Sequence, residues 1–329
     1  MMILRYVGFL ALAVVIGIAG LLIYLKFGLP DIADAEELKI EYTPERIERG
    51  RYLANSVTVC MDCHSTRDWS RFSGPITPGT LGQGGDRFDQ SMGFPGVFFA
   101  RNITPAGISR YTDGELYRVI TTGVTKEGRA MFPLMPYLYY GRMDPEDIYS
   151  IIAYVRSIPS IENTVDESRA DFPVNFILNT MPQPAHPQKR PDTTDILAYG
   201  AYMANASGCV ECHTRVSGKG VIIEEESFSG GREFLFPDKS VLRSANLTSD
   251  PETGIGKWTE EMFLRKFTIY GDSSYVPPKV APGEYNSVMP WTMYGHMKTS
   301  DLKAIYAYLK TIAPIPNLVT KFTPGTAAQ

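Results

Sequence analysis

The chain has 329 residues, of which 44% are hydrophobic and 21% charged, a composition that indicates a folded globular protein and excludes an intrinsically disordered one. The formal net charge is only −4 and no block of basic residues occurs, so nucleic acid is not expected as a partner. The length allows two or three domains of ordinary size.

The first 30 residues are predicted to form a membrane anchor. Residues 6–25 carry no charged side chain and are flanked by Arg5 and Lys26. About 20 helical residues span a hydrocarbon core of about 30 Å, whereas the apolar region of a cleavable signal peptide usually has about 7–15 residues. Residues 33–35, Ala-Asp-Ala, would nevertheless suit a signal peptidase, so removal of the segment stays open. We expect a retained signal anchor that contacts the lipid bilayer through residues 6–25.

The sequence C-x-x-C-H occurs twice, at residues 60–64 and 209–213. These two motifs contain all four cysteines and two of the four histidines of the chain. C-x-x-C-H is the attachment sequence of a c-type haem: both thiols form thioether bonds with the haem, and the adjacent histidine binds the iron. The residues predicted to bind two covalent haem c groups are Cys60, Cys63, His64, Cys209, Cys212 and His213.

Two other interpretations of the cysteine pairs are a zinc site and a redox-active dithiol. The cysteine pairs of zinc ribbons lie roughly 15–20 residues apart, but here 149 positions separate them (209 − 60). A thioredoxin-like dithiol would need a βαβ pattern around it, which this sequence lacks. Haem attachment therefore explains the motifs best.

The sequence after the anchor repeats with a period of about 150 residues. Each copy begins with a helical stretch that contains Gly-x-Tyr-x-Ala, at residues 50–54 and 200–204. A glycine that recurs inside a helix indicates close packing, so we expect the closing helix of each copy to cross the opening helix there. A glycine-rich loop follows each haem motif, and we match residues 72–74 of the first copy with residues 228–231 of the second.

Each copy then has an Asn-[Ile/Leu]-Thr tripeptide and a further helix. The first of these helices is predicted to start at Thr112, with a capping box completed by Glu115, and its counterpart starts at Thr259. Both helices carry an arginine at the same place, Arg118 and Arg265. These arginines either lie on a solvated helix face or pair with a haem propionate.

A Met-Pro-aromatic tripeptide precedes the closing helix of each copy, at residues 135–137 and 289–291. A methionine sulfur as sixth ligand favours reduced iron and raises the redox potential, which suits an electron carrier. The following proline stiffens the loop because it fixes φ. We therefore predict Met135 and Met289 as the sixth iron ligands.

Other candidate ligands fit less well. Met143 and Met297 also recur, but they lie on the approach to the closing helices, where packing explains them. The two remaining histidines, His186 and His296, do not recur and are expected at the surface.

The two copies are joined and followed by segments without sustained periodicity. Residues 162–194 contain five prolines and are expected to form a connector pinned across both copies. The tail from Asn317 is expected to be loosely ordered, with residues 325–329 free.

The second copy has a longer loop before its predicted methionine ligand. Eighteen positions separate Gly271 from Met289 (289 − 271), whereas 12 separate Gly123 from Met135 (135 − 123). The additional residues either shape a partner surface or form a neutral surface insertion.

The two haem motifs, the Asn-[Ile/Leu]-Thr segments and the Met-Pro-[Tyr/Trp] loops resemble those of the dihaem or multihaem cytochrome c subunits of periplasmic dehydrogenases, of the membrane-bound alcohol and gluconate dehydrogenase type. The resemblance covers about residues 40–329. It implies a mainly α fold, in which an N-terminal transmembrane helix is followed by two tandem class I-like cytochrome c domains with His/Met ligation. The best-known members carry three haems, whereas two motifs occur here. The expected organisation is a signal anchor (1–30), a first cytochrome c domain (31–161), a connector (162–194) and a second cytochrome c domain (195–329).

We therefore expect an electron carrier and not an enzyme. It would pass electrons within a respiratory chain, from a membrane or periplasmic dehydrogenase or quinol-oxidising complex to an oxidase or a soluble carrier such as a small cytochrome or copper protein. Haem c is attached on the outer face of the bacterial inner membrane, so the haem domains are expected in the periplasm. Two alternatives are a haem subunit integral to a respiratory supercomplex, and a dihaem peroxidase or sulfur-compound oxidoreductase. A dihaem peroxidase or a sulfur-compound oxidoreductase would need an iron position that opens or a His or Cys ligand, and no cysteine is spare.

Overall fold

A computed structural model describes residues 2–218 and 220–325. Its N-terminal helix α1 (Met2–Ile23) continues as a π-helical turn, Tyr24–Gly28. The stretch Arg5–Gly28 has a mean hydropathy of 2.6 and is not buried by the rest of the chain. Its length and composition would allow it to cross a membrane, and a signal sequence can have the same length and composition. Asn179 of the connector donates a hydrogen bond to the carbonyl of Leu25 (3.0 Å), so the end of this helix is held against the folded body.

The rest of the described chain is built mainly from helices, with short strands. In the first copy the elements are α2 (Pro44–Tyr52) with a following π-helical turn (Leu53–Val57), α3 (Cys60–Cys63), β1 (Arg87–Phe88), β2 (Gly96–Phe99), α4 (Pro105–Ile108), α5 (Asp113–Thr122), α6 (Tyr137–Tyr140) and α7 (Pro145–Ser157). The connector contributes β3 (Arg169–Ala170) and α8 (Val174–Ile177). In the second copy they are α9 (Ile196–Ala206), α10 (Cys209–Cys212), β4 (Glu233–Leu235), β5 (Val241–Arg243), α11 (Glu260–Thr268), α12 (Trp291–Tyr294), α13 (Thr299–Leu309) and β6 (Phe322–Thr323).

Local sequence signals explain where the longer helices begin. The predicted capping box of α5 is confirmed: Glu115 N donates to Thr112 Oγ1 (3.2 Å), and Thr112 N donates to Glu115 Oε2 (2.8 Å). Asp144 caps α7, with Pro145 in the first turn, where its missing N–H costs nothing. Side-chain caps of this kind satisfy N–H groups that the helix itself leaves without a partner.

The opening and closing helices of each copy cross at the recurring glycine, as predicted. A Cβ added to Gly50 of α2 would lie 1.8 Å from the carbonyl oxygen of Ser150 in α7. A Cβ added to Gly200 of α9 would lie 2.0 Å from the carbonyl oxygen of Ala304 in α13. Since a Cβ cannot approach an oxygen so closely, only glycine lets these backbones meet.

Each copy also carries a small antiparallel sheet whose third strand comes from the segment that follows the copy. The strand order is β1-β2-β3 in one sheet and β4-β5-β6 in the other. In the register, Gly96 lies opposite Ala170, and Leu242 lies opposite Phe322.

The prediction of a loosely ordered tail is wrong for the residues that the structure describes. Strand β6 extends the sheet of the second copy, and Asn317 N donates to Thr253 Oγ1 (2.9 Å). Sequence periodicity could not show this, because a two-residue strand is too short to have a pattern. The rest of the predicted free tail, residues 326–329, lies outside the described residues.

The two copies exchange hydrogen bonds through the tyrosine of their Gly-x-Tyr segments. Tyr52 of α2 donates to Asp301 of α13 (2.6 Å), and Tyr202 of α9 donates to Asp147 of α7 (2.7 Å). Each phenol oxygen also accepts from the backbone N–H that precedes the other copy's closing helix. The opening helix of each copy is therefore bonded to the closing helix of the other.

The longer loop of the second copy lies against the first copy. Phe72 N donates to the carbonyl of Pro278 (2.8 Å), and Val280 N donates to the carbonyl of Ser70 (2.8 Å). Arg71 adds a hydrogen bond to the carbonyl of Pro277 (3.0 Å). The additional residues therefore join the two copies, a role that the sequence did not suggest.

Candidate haem-binding sites

Both C-x-x-C-H motifs form a single helical turn that starts from the same unusual backbone conformation. The residue before the first cysteine has a positive φ in each copy: 44° at Val59 and 61° at Gly208. A β-branched residue such as Val59 rarely adopts this conformation, and such strain persists only where the surrounding fold imposes it. All four cysteines are free, so each pair is available for thioether bonds.

The histidine of each motif is held by one backbone carbonyl. His64 Nδ1 lies 2.6 Å from the carbonyl oxygen of Arg101, and His213 Nδ1 lies 2.7 Å from that of Ala245. A carbonyl only accepts, so Nδ1 carries the proton and Nε2 keeps its lone pair for a metal. Burial lowers the pKa of both imidazoles, which keeps them neutral, as a metal ligand must be.

A glycine-rich loop holds each of these histidines from the other side. Gly84 N donates to the carbonyl of His64 (2.9 Å), and Gly230 N donates to the carbonyl of His213 (2.8 Å). Both glycines have a positive φ, +74° and +76°. A Cβ on either would lie 2.5 Å from the backbone of Arg101 or Ala245, so the glycines let the loop approach the segment that binds the histidine.

This geometry corrects the predicted match between the glycine-rich loops. Residues 228–231 correspond to residues 82–85 and not to residues 72–74, because Gly82 N and Phe228 N both donate to the hydroxyl of the residue after the motif histidine. The first copy has a longer loop between its histidine and this point, and residues 72–74 lie in that loop. The Phe-Ser-Gly identity was therefore a coincidence of sequence.

The two Met-Pro segments adopt one conformation. Tyr137 N donates to the carbonyl of Met135, and Trp291 N donates to that of Met289, both at 2.8 Å. Both methionines are half-buried at the edge of the hydrophobic core. By contrast, Met143 and Met297 are only 1% and 5% exposed and lie within the core, as the packing interpretation predicts.

The remaining histidines occupy the surface, as predicted. His186 and His296 are both exposed, and His296 Nδ1 lies 2.8 Å from the carbonyl oxygen of Thr292 in its own helical turn.

Sequence reasoning missed a tyrosine that supports each site. Tyr140 donates to the carbonyl of Thr58 (2.9 Å), and Tyr294 donates to that of Ser207 (2.7 Å). Both acceptors lie two residues before the first motif cysteine, so the tyrosines brace the start of the haem-attachment turns. Burial raises the pKa of both phenols well above the ordinary value, which keeps them donors. Their equal distance from Met135 and Met289 was a signal that could have identified them.

The predicted propionate arginines occupy different environments. Arg118 is buried, donates to the carbonyls of Thr125 (2.7 Å) and Lys126 (3.3 Å), and lies 3.6 Å from Asp34. Arg265 is exposed on α11.

Three buried side-chain polar atoms lack a hydrogen bond among the described residues: Ser207 Oγ in the second copy and two in the first copy, Arg118 Nε and the hydroxyl of Tyr137. Tyr137 is fully buried directly beside the Met135 loop. Buried donors are almost always paired in native proteins, so the two atoms of the first copy fit a group that brings acceptor oxygens, as haem propionates do. No cluster of three or more His, Cys, Asp or Glu side chains that would suit a metal ion occurs in the described part of the chain.

Comparison with known proteins agrees with the motifs. No protein-family model matches the chain. It is 26% identical over 302 residues to the cytochrome c subunit of a quinone alcohol dehydrogenase from Gluconacetobacter polyoxogenes, which covers 85% of this chain and 59% of the relative. It is 26% identical over 295 residues to a gluconate 2-dehydrogenase cytochrome c subunit from Pantoea cypripedii, covering 84% of this chain and 62% of the relative. The chain resembles dehydrogenase cytochrome c subunits.

A further relative concerns the number of haems. A diheme cytochrome c-type protein of Cereibacter sphaeroides is 25% identical over 181 residues, which is 52% of this chain and 58% of that protein. This chain spans about 60% of the length of the curated dehydrogenase subunits described above. The resemblance predicted from the motifs is thus confirmed over most of the present sequence.

Proposed function

We propose that this protein is a dihaem c-type electron-transfer subunit. It would take electrons from a membrane or periplasmic dehydrogenase, or from a quinol-oxidising complex, and pass them to an oxidase or a soluble carrier. The observation that carries the proposal is that the chain builds one arrangement twice: a cysteine turn, a neutral histidine fixed by a backbone carbonyl, and a half-buried methionine before a proline. The relatives, which are cytochrome c subunits of dehydrogenases, support a dehydrogenase as donor.

The roles of the side chains follow from their chemistry. Each cysteine pair would hold a haem covalently, so the group stays bound in both oxidation states. When bound, each haem supplies a one-electron iron couple. His64 and His213 would bind iron through Nε2, and the carbonyl on Nδ1 fixes the ring and raises its basicity. Met135 and Met289 would complete the coordination and raise the potentials, because a thioether favours reduced iron.

The two candidate propionate partners, Arg118 and Arg265, differ in burial. Arg118, with its free Nε, would pair with a propionate of the first haem together with the Tyr137 hydroxyl. Arg265 lies on an exposed helix face and would reach a propionate only by bending its long side chain inward.

The packing of the copies supports electron exchange between the two sites. The turn α12, which follows Met289, packs on the π-helical turn Leu53–Val57 that leads into the first haem motif. The turn α6, which follows Met135, packs on α9, which leads into the second motif. Burial raises the pKa of the Cys212 thiol, and the Glu211 carboxylate and, more weakly, that of Asp62 in the other attachment turn add to the increase.

The proposed organisation places two tandem class I-like cytochrome c domains outside the membrane. Residues 6–25 would anchor them in the bacterial inner membrane, with the haem domains in the periplasm, where dehydrogenases and oxidases of the respiratory chain are accessible. Tethering raises the effective concentration of a carrier near membrane partners.

Haem counting in the protein produced with haem-attachment machinery tests the proposal. The pyridine haemochrome assay should give two haems per chain, and the variants Cys60→Ser/Cys63→Ser and Cys209→Ser/Cys212→Ser should each give one. The reduced protein should be oxidised by a small cytochrome or copper protein without turning over peroxide. A count other than two, or steady peroxide turnover, would contradict the carrier proposal. Purification in mild detergent distinguishes a free carrier, which purifies alone, from a subunit of a supercomplex, which purifies together with the other subunits.

A further inference from the structure

The two candidate sites differ in charge at one equivalent position. Gly84 and Gly230 make the same contacts with their histidine and its carbonyl partner, so they occupy equivalent positions in the two copies. Gly85 is therefore equivalent to Gly231. The next residue is Asp86 in the first copy and Arg232 in the second. Both side chains therefore start from the same place beside a haem-attachment turn, with opposite charges.

The first site contains a carboxylate without an ion-pair partner among the described residues. Its motif carboxylate, Asp62, is paired with Arg67 at 2.7 Å, and Arg67 is further fixed by the Trp69 ring, whose centroid lies 4.1 Å from the guanidinium. Arg67 is thus occupied, and within the described residues Asp86 has no ion-pair partner at salt-bridge distance. The backbone of Asp86 lies beside this site, because its carbonyl accepts a hydrogen bond from Ala100 N (3.0 Å), the residue before the Arg101 carbonyl that binds His64.

The second site is balanced. Its motif carboxylate, Glu211, is paired with Arg232 at 2.6 Å and accepts a hydrogen bond from Tyr139 of the first copy (2.9 Å). The neighbouring Arg215 is paired with Glu226 and adds no net charge. Arg232 also donates to the backbone carbonyl of Glu211, so its guanidinium lies directly against the attachment turn. The same backbone position therefore carries opposite charges beside the two attachment turns.

We propose that Asp86 and Arg232 set the order of the two redox potentials, so that the first haem has the lower potential and the second the higher. Electrons would then enter at the first copy and leave from the second. The inference rests on the proposed electron-transfer function. A nearby negative charge disfavours an added electron and a positive charge favours it, while the predicted ligands of the two irons are the same. With equal predicted ligands, charges at positions where the copies differ would separate the two potentials.

Redox titration of the full-length, haem-loaded protein in detergent at pH 8, where the Asp86 carboxylate is ionised, tests this order. Asp86→Asn should raise the lower of the two potentials and leave the upper one in place. A unit charge about 10 Å away, acting through an effective dielectric constant of about 40, changes a one-electron equilibrium about fourfold, or by about 36 mV at 59 mV per tenfold. Arg232→Gln should lower the upper potential by a similar amount, and the double variant should bring the two potentials together.

Matched variants separate charge from structure. Asp89→Asn removes the same charge three positions away, from a carboxylate that pairs with Arg87, and should move neither potential. Asp86→Glu and Arg232→Lys retain the charge and should keep both potentials near their original values. Haem content measured by absorbance shows that each variant is loaded.

The outcomes distinguish this inference from the proposed function. Two reversible one-electron transitions that Asp86→Asn leaves unmoved, or a shift of the upper transition by that variant, would overturn the proposed order while leaving the carrier function intact. If the protein shows no pair of reversible transitions, the carrier function itself fails, and the inference fails with it.

Discussion

Tyr52→Phe should destabilise the protein more than Tyr202→Phe, although the two tyrosines occupy the same place in the repeat. Each hydroxyl donates to a buried aspartate of the other copy, at 2.6 Å for Tyr52 and 2.7 Å for Tyr202. The two aspartates differ in their other partners. Asp147 also binds Arg49 through two hydrogen bonds (2.9 and 2.8 Å) and pairs with Arg190 (2.6 Å).

Asp301 has weaker support. Apart from Tyr52 it accepts hydrogen bonds from Tyr199 (3.3 Å) and Ser300 (3.1 Å), and the described residues give it no ion pair. It is only 3% exposed, so water cannot replace a lost donor easily. A hydrogen bond to a charged group contributes about 1.5–3 kcal/mol, and a buried charge left without its donor costs the most. We therefore expect a loss of about 2–3 kcal/mol for Tyr52→Phe and about 1–2 kcal/mol for Tyr202→Phe.

Urea unfolding of the haem-loaded protein in detergent, followed by far-ultraviolet circular dichroism, measures both losses. Tyr275→Phe is the matched control, because the described structure shows no hydrogen bond from its hydroxyl, and it should change the free energy of unfolding by less than about 0.5 kcal/mol. Equal losses for the two variants would refute the reasoning from the aspartates' partners. So would losses no larger than that of Tyr275→Phe.

Three further predictions follow from the sites and their packing. Met135→Ala should reduce the absorption band of the Met–iron bond by about half, since one of two such bonds remains, whereas Met143→Ala should keep the band and lose about 2–5 kcal/mol of stability in urea unfolding as a core methionine; unchanged absorption in Met135→Ala would rule out that ligand. Gly200→Ala should destabilise by about 1–3 kcal/mol through overpacking, whereas Gly218→Ala, with open space around it, should not; equal unfolding midpoints would contradict the close crossing. Burial raises the pKa of Asp86 to about 6, above the ordinary 3.8, so the folded state binds the proton more tightly and stability should fall as pH rises from about 4 to about 6; Asp86→Asn should flatten that part of a stability–pH curve, and a curve identical to that of the original protein would contradict the shift.

The sequence identified side chains at positions where a local chemical or steric requirement restricts the residue type. A haem-attachment turn needs two thiols and an imidazole at fixed spacing, a capping box needs Thr112 and Glu115 three residues apart, and a close helix crossing needs glycine at Gly50. Each requirement is local and restricts the residue type, so a pattern search finds it. The recurrence of each pattern about 150 residues later removed most of the remaining ambiguity.

What the sequence did not reveal depends on backbone atoms and on how distant segments meet. The carbonyls of Arg101 and Ala245 that orient the histidines belong to residue types that any position could hold. Strand β6 has two residues, too few for any periodicity to appear. The equivalence of residues 82–85 with residues 228–231 depends on hydrogen bonds to Ser65 and Thr214, which the shared Phe-Ser-Gly tripeptide at residues 72–74 does not reveal.

The contacts between the copies show why a duplicated sequence needs a structure before its function can be inferred. A repeat fixes what the two copies share, here the predicted ligands and their supports, and equal ligands alone would give two equal potentials. In the proposed carrier, the direction of electron flow between the two haems must therefore depend on positions where the copies differ. The structure places two such differences next to the sites: the exchange of Asp86 for Arg232, and the longer loop of the second copy that packs on the first. The loop ends at Met289, whose carbonyl accepts a hydrogen bond from Ser73 of the first copy (2.6 Å), so the first copy holds the predicted ligand loop of the second. Among the described residues, the carbonyl of Met135 accepts no hydrogen bond from the second copy. The two sites therefore share one motif but differ in the charge beside it and in the contacts that support the methionine loop.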